Sequence, residues 1–468
     1  MDKIMKYVMK FGGTSVKDAG YTRICDILSD YRDDKIVVVV SALKGMTDKL
    51  LEATRMAEMG EERWINDFLQ EVSDIHRSVV KNSIGNLPSW LEERLRKADE
   101  ELKHVLYGIL YLREATPRSV DYVASFGERY SAEIASATLN SRGFQSKAFT
   151  GGEAGIITNS RFGQATPIMA LVRKRVAETL IPLLENNIVP VVGGFAGATE
   201  NGIITTLGRG GSDYSATILA NAIDADEVII WSDVNGIMSA DPKLIPEAVT
   251  LPEITYEEAM EMAILGAKAL HPRALEPVIE KKIPVRIKNT FNPKHEGTKI
   301  MESVTKPYHS VVKVISLIRD ISMITIKGAS MVGEVGMAAR FFNKIAESKS
   351  NVMMISQSIS ESNISIVVRK ENSKKVYDVL EREFGNEAKK LELEDDVCAI
   401  ACVGEGMKGT PGVAARMFKA VADEGINVRM IAQGSSELNI SFIVKDADGL
   451  KALKALHKEF IEKGQSFK

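Results

Sequence analysis

The sequence predicts an α/β domain with a mostly parallel sheet, followed by two copies of a small α+β unit. Two observations lead to this fold class. In the first 300 residues, short runs rich in valine and isoleucine alternate with helical patterns, as in parallel sheets covered by helices on both faces. After about Thr305 this alternation stops, and a block of sequence occurs twice. A chain of 468 residues is long enough for two or three such domains.

The candidate strands of the first domain end where loops lead into helices. They are residues 7–11, 36–41, 188–195, 227–233 and 284–288. All but the first are rich in valine and isoleucine, which is typical of strands buried on both faces. Helical patterns occupy the charged segment 49–113 and the segment 214–222. Ligands of parallel sheets bind beyond the carboxyl ends of the strands, so the functional site is expected at that edge.

The C-terminal third carries the internal repeat. Residues 332–368 align with residues 408–444 at a constant offset of 76, with 18 identities in 37 positions. Each copy has the pattern strand, helix, strand, turn, strand, and a second helix follows. This pattern resembles the ACT domain, a βαββαβ module that binds amino acids where two modules pack together. The resemblance implies that the repeat binds an amino acid.

The second copy lacks one strand of the ACT pattern, because its last helix is followed only by residues 465–468. The apolar run 311–316, ahead of the first copy, can supply that strand. We therefore expect a discontinuous second module. The expected boundaries are residues 1–304 for the first domain, 317–395 for the first module, and 305–316 together with 396–468 for the second module.

The composition argues against several classes of function. Sixty basic and sixty-three acidic residues give a formal net charge of -3, which offers no electrostatic reason to expect nucleic acid or a membrane as partner. No apolar run reaches the roughly 18 residues that span a bilayer, and no signal-peptide pattern precedes the first strand. The three cysteines match neither a disulfide framework nor a metal-binding pattern. These features predict a soluble cytoplasmic protein.

Three glycine-rich loops follow candidate strands, and none has the P-loop pattern. The first, Lys10-Phe11-Gly12-Gly13-Thr14-Ser15, places a lysine beside two glycines. Glycines let the backbone approach a phosphate closely, and a lysine offsets the charge of a transferring phosphoryl group. The second loop contains Gly193 and Gly194.

The third glycine-rich loop opens the predicted helix 214–222. Its sequence is Leu207-Gly208-Arg209-Gly210-Gly211-Ser212-Asp213. Ser212 or Asp213 is expected as the N-cap, and the helix N-terminus favours an anionic ligand. The guanidinium of Arg209 suits a carboxylate. Taken together, the three loops predict a site for phosphate and carboxylate groups.

Here the sequence resembles the aspartokinases, a family of amino acid kinases, over essentially its whole length. The matching segments, in order, are 10–16, 40–42, 125–128, 206–213, 231–234 and 266–268, followed by the two ACT-like modules. The resemblance implies a three-layer α/β/α amino-acid-kinase domain. It also implies ATP-dependent phosphorylation of the L-aspartate side chain to 4-phospho-L-aspartate, the first step of lysine, threonine and methionine biosynthesis.

The resemblance assigns roles to residues of the first domain. Lys10 is implied to stabilise the phosphoryl group, with Asp213 orienting it or binding the substrate ammonium. The implied substrate-binding residues are Ser41, Thr47, Glu128, Arg209 and Ser212, with Arg209 on the α-carboxylate and Glu128 on the α-ammonium. An acceptor carboxylate, with a pKa near 4, is ionised at neutral pH, so no general base is required.

The nucleotide side is also assigned by resemblance. The implied residues are Gly12, Gly13, Thr14, Ser15, Ser232, Asp233, Met238, Asp241, Lys243 and Lys268. Mg²⁺ is implied as a cofactor that bridges the phosphates of ATP, without ligands from protein side chains. Two positions depart from the family pattern, since Asn235 and Lys243 stand where Asp and Arg are common.

The repeated modules carry equivalent amide side chains at equal positions. They are Asn351 and Gln357 in the first copy, and Asn427 and Gln433 in the second. Amide groups can bind the polar atoms of an amino acid. The resemblance implies feedback inhibition by an amino acid, with threonine favoured over lysine, and a homo-oligomer formed through the ACT modules.

Other interpretations remain open at the level of sequence. The glycine loops can be ordinary turns, Glu128 and Lys268 can be surface residues of helices, and the repeated amides can be edge or turn residues. A kinase of the same fold that acts on glutamate, acetylglutamate or UMP is one rival. A catalytically silent amino-acid sensor is another.

Overall fold

The computed structural model describes residues 3–16, 20–264, 270–305, 310–328, 332–385 and 390–463. The chain divides into two compact units. The first comprises Met1–Ile237, Pro252–Met260 and Leu270–Thr305, and the second comprises Met238–Leu251, Glu261–Ala269 and Lys306–Lys468. Within the described ranges, no helix combines the length and the apolar composition that crossing a bilayer requires.

The first unit is built on strands that alternate with helices. Its strands are β1 (Lys6–Phe11), β2 (Lys35–Val40), β3 (Ser146–Phe149), β4 (Val189–Gly193), β5 (Ala196–Ala198), β6 (Ile204–Thr206), β7 (Glu227–Ser232), β8 (Glu253–Thr255), β9 (Val285–Asn289) and β10 (Thr298–Met301). Its helices are α1 (Gly20–Leu28), α2 (Met46–Met59), α3 (Glu62–Ile84), α4 (Ser89–Leu112), α5 (Pro117–Ala124), α6 (Phe126–Ser141), α7 (Gly151–Ala154), α8 (Met169–Thr179), α9 (Ile181–Glu185), α10 (Gly211–Ile223), α11 (Tyr256–Ile264, whose residues the two units share) and α12 (Pro272–Lys281).

The main sheet of the first unit has the order β3-β4-β2-β1-β7-β9-β10-β8. Neighbouring strands run parallel except β9 and β10, which are antiparallel. The mostly parallel sheet predicted from the sequence is therefore confirmed. Its central strand β1 is followed by the first glycine loop, and β2 and β4 end beside it, because parallel strands share one carboxyl edge.

The second unit contains one antiparallel sheet. Its elements are β11 (Val314–Lys327), α13 (Met337–Glu347), β12 (Val352–Gln357), β13 (Asn363–Arg369), α14 (Lys370–Phe384), β14 (Lys390–Val403), α15 (Val413–Asp423), β15 (Met430–Gln433), β16 (Asn439–Lys445) and α16 (Gly449–His457). The order of the strands is β12-β13-β11-β14-β16-β15. Each copy of the repeat thus contributes a helix, two strands and a second helix, as the sequence pattern predicts.

The two central strands, β11 and β14, each serve both copies of the repeat. Residues 321–327 of β11 pair with β13, whereas residues 314–318 pair with residues 399–403 of β14, which also pair with β16. The register shifts between these two halves of β11. This pairing is the one that a discontinuous second module requires. The module boundaries themselves stay a prediction.

The structural repeat extends beyond the segment in which the sequences align. In each copy an arginine of the first helix forms an ion pair with a glutamate at the end of the second helical segment. The guanidinium of the same arginine lies over the ring of the phenylalanine that follows this glutamate in the sequence. The two sets are Arg340–Glu383 at 2.6 Å with Phe384, and Arg416–Glu459 at 3.0 Å with Phe460. The offset of 76 is kept throughout.

The segment Met238–Leu251 belongs to the second unit. The sequence pattern instead predicts one boundary, at residue 304, with this segment on the N-terminal side of it. Ala240 and Ile245 are buried in the core of the second module. The buried Ser239 accepts a backbone hydrogen bond from Ile315, at 2.8 Å, and its hydroxyl lies 3.1 Å from Nε2 of His457. These contacts join residues distant in sequence, so local pattern could not reveal them.

Truncating one buried isoleucine in each module tests which half of strand β11 belongs to the core of which module. Ile315 lies in the core with β16 and α16, whereas Ile324 lies in the core with β13 and α14, and both are fully buried. We expect Ile315→Ala and Ile324→Ala each to cost about 2–5 kcal/mol of stability. Hydrogen exchange should accelerate mainly in β16, α15 and α16 for the first variant, and in β12, β13 and α14 for the second. Equal acceleration in both modules would contradict the division.

Candidate active site

A cavity of about 320 Å³ lies in the first unit, at the carboxyl ends of β1, β2 and β4. It brings together every residue predicted to be catalytic or substrate-binding, namely Lys10, Ser41, Thr47, Glu128, Arg209, Ser212 and Asp213. These residues come from the ends of strands and the first turns of helices, where a parallel sheet places its ligands. The cavity is therefore the candidate active site.

Lys10 and Asp213 form an ion pair at the floor of this cavity. The Nζ atom of Lys10 lies 2.6 Å from Oδ1 of Asp213, and the two side chains are 12% and 20% exposed. Lys10 is near the end of β1, and Asp213 is in the first turn of α10. The pair fixes the ammonium group at the carboxyl edge of the sheet, where it can meet an anion.

The loop after β1 packs tightly against the loop after β2. The N–H of Gly12 donates to the carbonyl of Trp231 at 3.2 Å, which ties the loop to β7. A Cβ atom on Gly13 would lie only 2.8 Å from the carbonyl oxygen of Ala42. Glycine is therefore required at position 13 by the close approach of two backbones. Gly12, Gly13 and Thr14 lie next to the cavity lining without forming part of it.

The side chain of Ser15, a residue predicted to bind nucleotide, points into the protein rather than toward the cavity. Its side chain is fully buried, and its hydroxyl lies 2.7 Å from the hydroxyl of Thr290. The same hydroxyl is 3.4 Å from the carbonyl oxygen of Trp231. Ser15 thus supports the loop from inside, since its side chain has no face toward a ligand.

Two helix N-termini face the cavity. Helix α10 begins after Gly210 and α2 begins after Gly45, and both glycines have left-handed φ angles, of 72° and 81°. Neither helix has a side-chain cap. Because Gly210 is the N-cap of α10, Ser212 and Asp213 lie in its first turn, and the prediction that one of them is the N-cap was wrong. Uncapped first-turn N–H groups and the positive end of the helix dipole attract anions.

Glu128 provides the opposite charge at the same cavity. It is 4% exposed, and its Oε1 accepts a hydrogen bond of 3.1 Å from the N–H of Ala42. Its Oε2 is buried and has no partner among the described residues. Burial raises the pKa of Glu128 to about 8, although the N–H of Ala42 and the ammonium of Lys10 act in the opposite direction. An ammonium group placed at Oε2 would satisfy this carboxylate.

Arg209 is exposed at the rim of the cavity, between Gly208 and Gly210. It forms no ion pair within the part of the chain that the structure describes. Its guanidinium is available to a carboxylate ligand, which it can bind with two parallel hydrogen bonds. Glu128 and Arg209 together suit the ammonium and carboxylate groups of a free amino acid.

Sequence reasoning did not name four residues that line the cavity, Leu43, Lys44, Gly45 and Asp48, and it gave no role to a fifth, Phe195. Phe195 has a φ angle of 66°, which is unusual for a residue with a side chain. The signal in the sequence was their position in the segments that lead from strands β2 and β4 into the first turn of the next helix. Lys44 is one residue before the N-cap of α2, and Asp48 is in its first turn.

The residues predicted to bind nucleotide are distributed over both units. Ser232 is the last residue of β7, which pairs with β1 in the first unit, and Asp233 follows it. Asn235 accepts a hydrogen bond of 2.9 Å from the amide of Asn289, so this departure from the family pattern stabilises a loop at the same edge. The remaining predicted residues are Met238, Asp241 and Lys243, which belong to the second unit, and Lys268, which lies outside the described residues.

The repeated amides lie at the two edges of the antiparallel sheet. Asn351 directly precedes β12 and Gln357 ends it, whereas Asn427 is three residues before β15 and Gln433 ends that strand. All four side chains are exposed. Their equivalence in space follows the equivalence in sequence, and their role as effector ligands stays a prediction.

Family models match two parts of the chain. Residues 5–289 match the amino acid kinase family. Residues 324–384 and 400–460 each match an ACT domain. The two ACT matches are again offset by 76 residues.

Two relatives from Arabidopsis thaliana resemble the chain over nearly its full length. The chloroplastic aspartokinase 1 is 34% identical over 99% of this chain and 81% of the relative. The chloroplastic bifunctional aspartokinase/homoserine dehydrogenase 2 is 32% identical over 97% of this chain. The chain spans about half the length of the bifunctional relatives that it matches.

Solved structures show the same architecture. Escherichia coli aspartokinase III in complex with aspartate and ADP is 30% identical, with a TM-score of 0.81 over 98% of this chain and 99% of that one. The complex of that enzyme with lysine and aspartate is 29% identical, with a TM-score of 0.82 over 97% and 99%. The chain belongs to the amino acid kinase family and, within it, to the aspartokinases with tandem ACT domains.

Proposed function

We propose that this protein transfers the γ-phosphoryl group of ATP to the side-chain carboxylate of L-aspartate. An oxygen of the carboxylate forms a bond to the γ-phosphorus, and the bond from that phosphorus to the bridging oxygen breaks. The electron pair of the broken bond leaves with ADP, and the other product is 4-phospho-L-aspartate. The observation that carries the proposal is one cavity in which Lys10, Glu128 and Arg209 meet between two helix N-termini.

Recognition of aspartate rests on two groups of opposite charge. Arg209 binds the α-carboxylate, and the free Oε2 of Glu128 accepts hydrogen bonds from the α-ammonium. This combination disfavours an N-acylated substrate such as acetylglutamate, because acylation removes the positive charge and leaves the buried carboxylate unsatisfied. A structure of E. coli aspartokinase III contains aspartate and ADP, which supports the choice of substrate.

Catalysis in this proposal depends on electrostatics rather than on a base. The acceptor is already ionised, so the protein must bring two anions together and stabilise the charge that spreads over the phosphoryl oxygens. Lys10, held by Asp213, contacts those oxygens. Ser41, Thr47 and the first turn of α10 at Ser212 supply hydroxyl and N–H donors around the acceptor carboxylate.

We propose ATP with Mg²⁺ as the phosphoryl donor. Among the described residues, no group of three or more His, Cys, Asp or Glu side chains could hold a metal ion. In this proposal a Mg²⁺ ion would take its ligands mainly from phosphate oxygens and water, and would offset the charge of the phosphates. The nucleotide would be held by the loop 12–14 and by Ser232, Asp233, Met238, Asp241, Lys243 and Lys268.

We propose that an amino acid inhibits the enzyme through the ACT modules, with threonine favoured over lysine, and that the modules join subunits into a homo-oligomer. The exposed amides at the ends of β12 and β15 support a polar ligand at these edges. A structure of the E. coli relative contains lysine and aspartate, which makes lysine the alternative effector.

The acceptor is identified by ADP release from Mg-ATP with aspartate, glutamate, acetylglutamate and UMP offered in parallel. We expect release with aspartate alone. Lys10→Ala should lower kcat by about 100-fold or more, because a preorganised charge at the phosphoryl group is lost. Release with another acceptor would overturn the substrate assignment, and no release by a folded protein that binds threonine would indicate a silent sensor.

The ionisation of Glu128 predicts a pH dependence of aspartate use. Glu128 has a pKa of about 8 in the free enzyme, so most of it is protonated at pH 6 and cannot bind the substrate ammonium. We expect kcat/KM for aspartate to rise as pH increases from 6 toward 8, at saturating Mg-ATP.

Glu128→Gln should remove this rise and lower kcat/KM at pH 8 on the order of 30-fold, equivalent to about 2 kcal/mol. Glu133→Gln is the matched control, since Glu133 lies on the same helix, pairs with Arg94, and does not line the cavity. A rise that persists in Glu128→Gln would contradict the assignment of the ammonium site.

The effector is identified by adding threonine and lysine separately to the aspartate-dependent reaction. We expect millimolar threonine to suppress turnover. Gln357→Ala and Gln433→Ala should weaken inhibition while leaving the uninhibited rate unchanged, because both residues are on edge strands of the second unit. If threonine has no effect and lysine suppresses turnover, the preference for threonine is wrong.

A further inference from the structure

Lys44 lines the candidate active site and has no part in the function proposed above. Three cationic side chains line the cavity: Lys10, Lys44 and Arg209. Lys10 is paired with Asp213 at 2.6 Å, and the proposed function assigns Arg209 to the α-carboxylate of the substrate. Lys44 forms no ion pair within the described ranges, so its charge is available.

The backbone of Lys44 lies directly on the first glycine loop. A Cβ atom on Gly13 would lie 3.2 Å from the backbone nitrogen of Lys44 and 3.3 Å from its Cα atom. On the other side, a Cβ atom on Gly12 would lie 3.6 Å from Nζ of Lys10. The two adjacent glycines are therefore flanked by two lysines, one near the end of β1 and one in the loop after the neighbouring parallel strand β2.

Backbone hydrogen bonds on both sides of Lys44 fix the position of its Cα atom. The N–H of Ser41 donates to the carbonyl of Phe11 at 3.1 Å, which ties the start of the loop to β1. At its end, the N–H of Met46 donates to the carbonyl of Leu43 at 2.9 Å, and Gly45 is the left-handed N-cap of α2. Lys44 is thus held between two anchored points, at the mouth of the cavity and beside the positive end of a helix.

The charge balance of the reaction favours a further cation near the phosphoryl group. An ionised carboxylate must approach a phosphate that is itself negative, and charge spreads over three phosphoryl oxygens in the transition state. The charge of Lys10 is partly offset by Asp213, and Arg209 is assigned to the α-carboxylate of the substrate. Neither is free to neutralise the additional phosphoryl charge alone.

We propose that Lys44 is a second catalytic lysine, whose ammonium contacts a non-bridging oxygen of the transferring γ-phosphoryl group. This assignment rests on the proposed function and adds a residue to it. During the step the oxygen–phosphorus bond to aspartate forms, the bond to ADP breaks, and Lys44 keeps its proton throughout. The contact strengthens as the phosphoryl group moves from ATP to the carboxylate, so it acts on turnover more than on aspartate binding.

The test compares Lys44→Ala, Lys44→Arg and a matched control, Lys49→Ala, by steady-state kinetics with aspartate and Mg-ATP. Lys49 is five residues further along the chain, in α2, pairs with Glu71, and does not line the cavity. We expect Lys44→Ala to lower kcat about tenfold with the KM for aspartate within about twofold of wild type, since an exposed cation contributes less than a buried donor. Lys44→Arg should recover most of the loss, and Lys49→Ala should match wild type.

Three results would overturn the assignment: a kcat for Lys44→Ala within twofold of wild type, an equal loss in Lys49→Ala, or a raised KM for aspartate with kcat unchanged. In each of these the wild-type enzyme still phosphorylates aspartate, so the proposed function stands. If the wild type releases no ADP with aspartate, the proposed function fails and the role of Lys44 fails with it.

Discussion

The geometry of the site depends on the close approach of backbone loops at one edge of the parallel sheet. Gly13 lies against the carbonyl of Ala42, and a Cβ atom on Gly194 would lie 2.8 Å from the Cβ of Ser212. Any side chain at either glycine would force the loops after β1, β2 and β4 apart. The loop after β2 carries Ala42, whose N–H donates to Glu128, and the loops adjoin Lys10 near the end of β1 and Thr47 in the first turn of α2. Their spacing therefore decides whether one cavity can hold groups from several elements.

The cavity combines charges of both signs in a small volume. Two uncapped helix N-termini and the cationic side chains attract anions, whereas Glu128 and Asp213 oppose the accumulation of positive charge. A free amino acid with an acidic side chain has the matching pattern of one ammonium and two carboxylates. Burial favours the protonated form of the Glu128 carboxyl group, because the ionised form loses its hydration there. A cationic group beside Oε2 would favour the ionised form.

The sequence predicted those parts of the fold that local pattern determines. Strands β1, β2, β4, β7 and β9 were found because strands buried on both faces form apolar runs, whereas β3, β5, β6, β8 and β10 have only three or four residues. The inward hydroxyl of Ser15 and the N-cap at Gly210 depend on tertiary contacts or backbone angles that residue type alone does not fix. For the same reason, the place of Met238–Leu251 in the second unit was not foreseen.

The two modules of the repeat are topologically interlocked, because each of the 14-residue strands β11 and β14 runs through both. Removing the chain after residue 395 would take away the strand that pairs with residues 314–318, and would leave those residues as an unpaired apolar edge. Exposed edges of this kind promote aggregation. Neither module can therefore be removed by a simple truncation without exposing an apolar strand edge of the other.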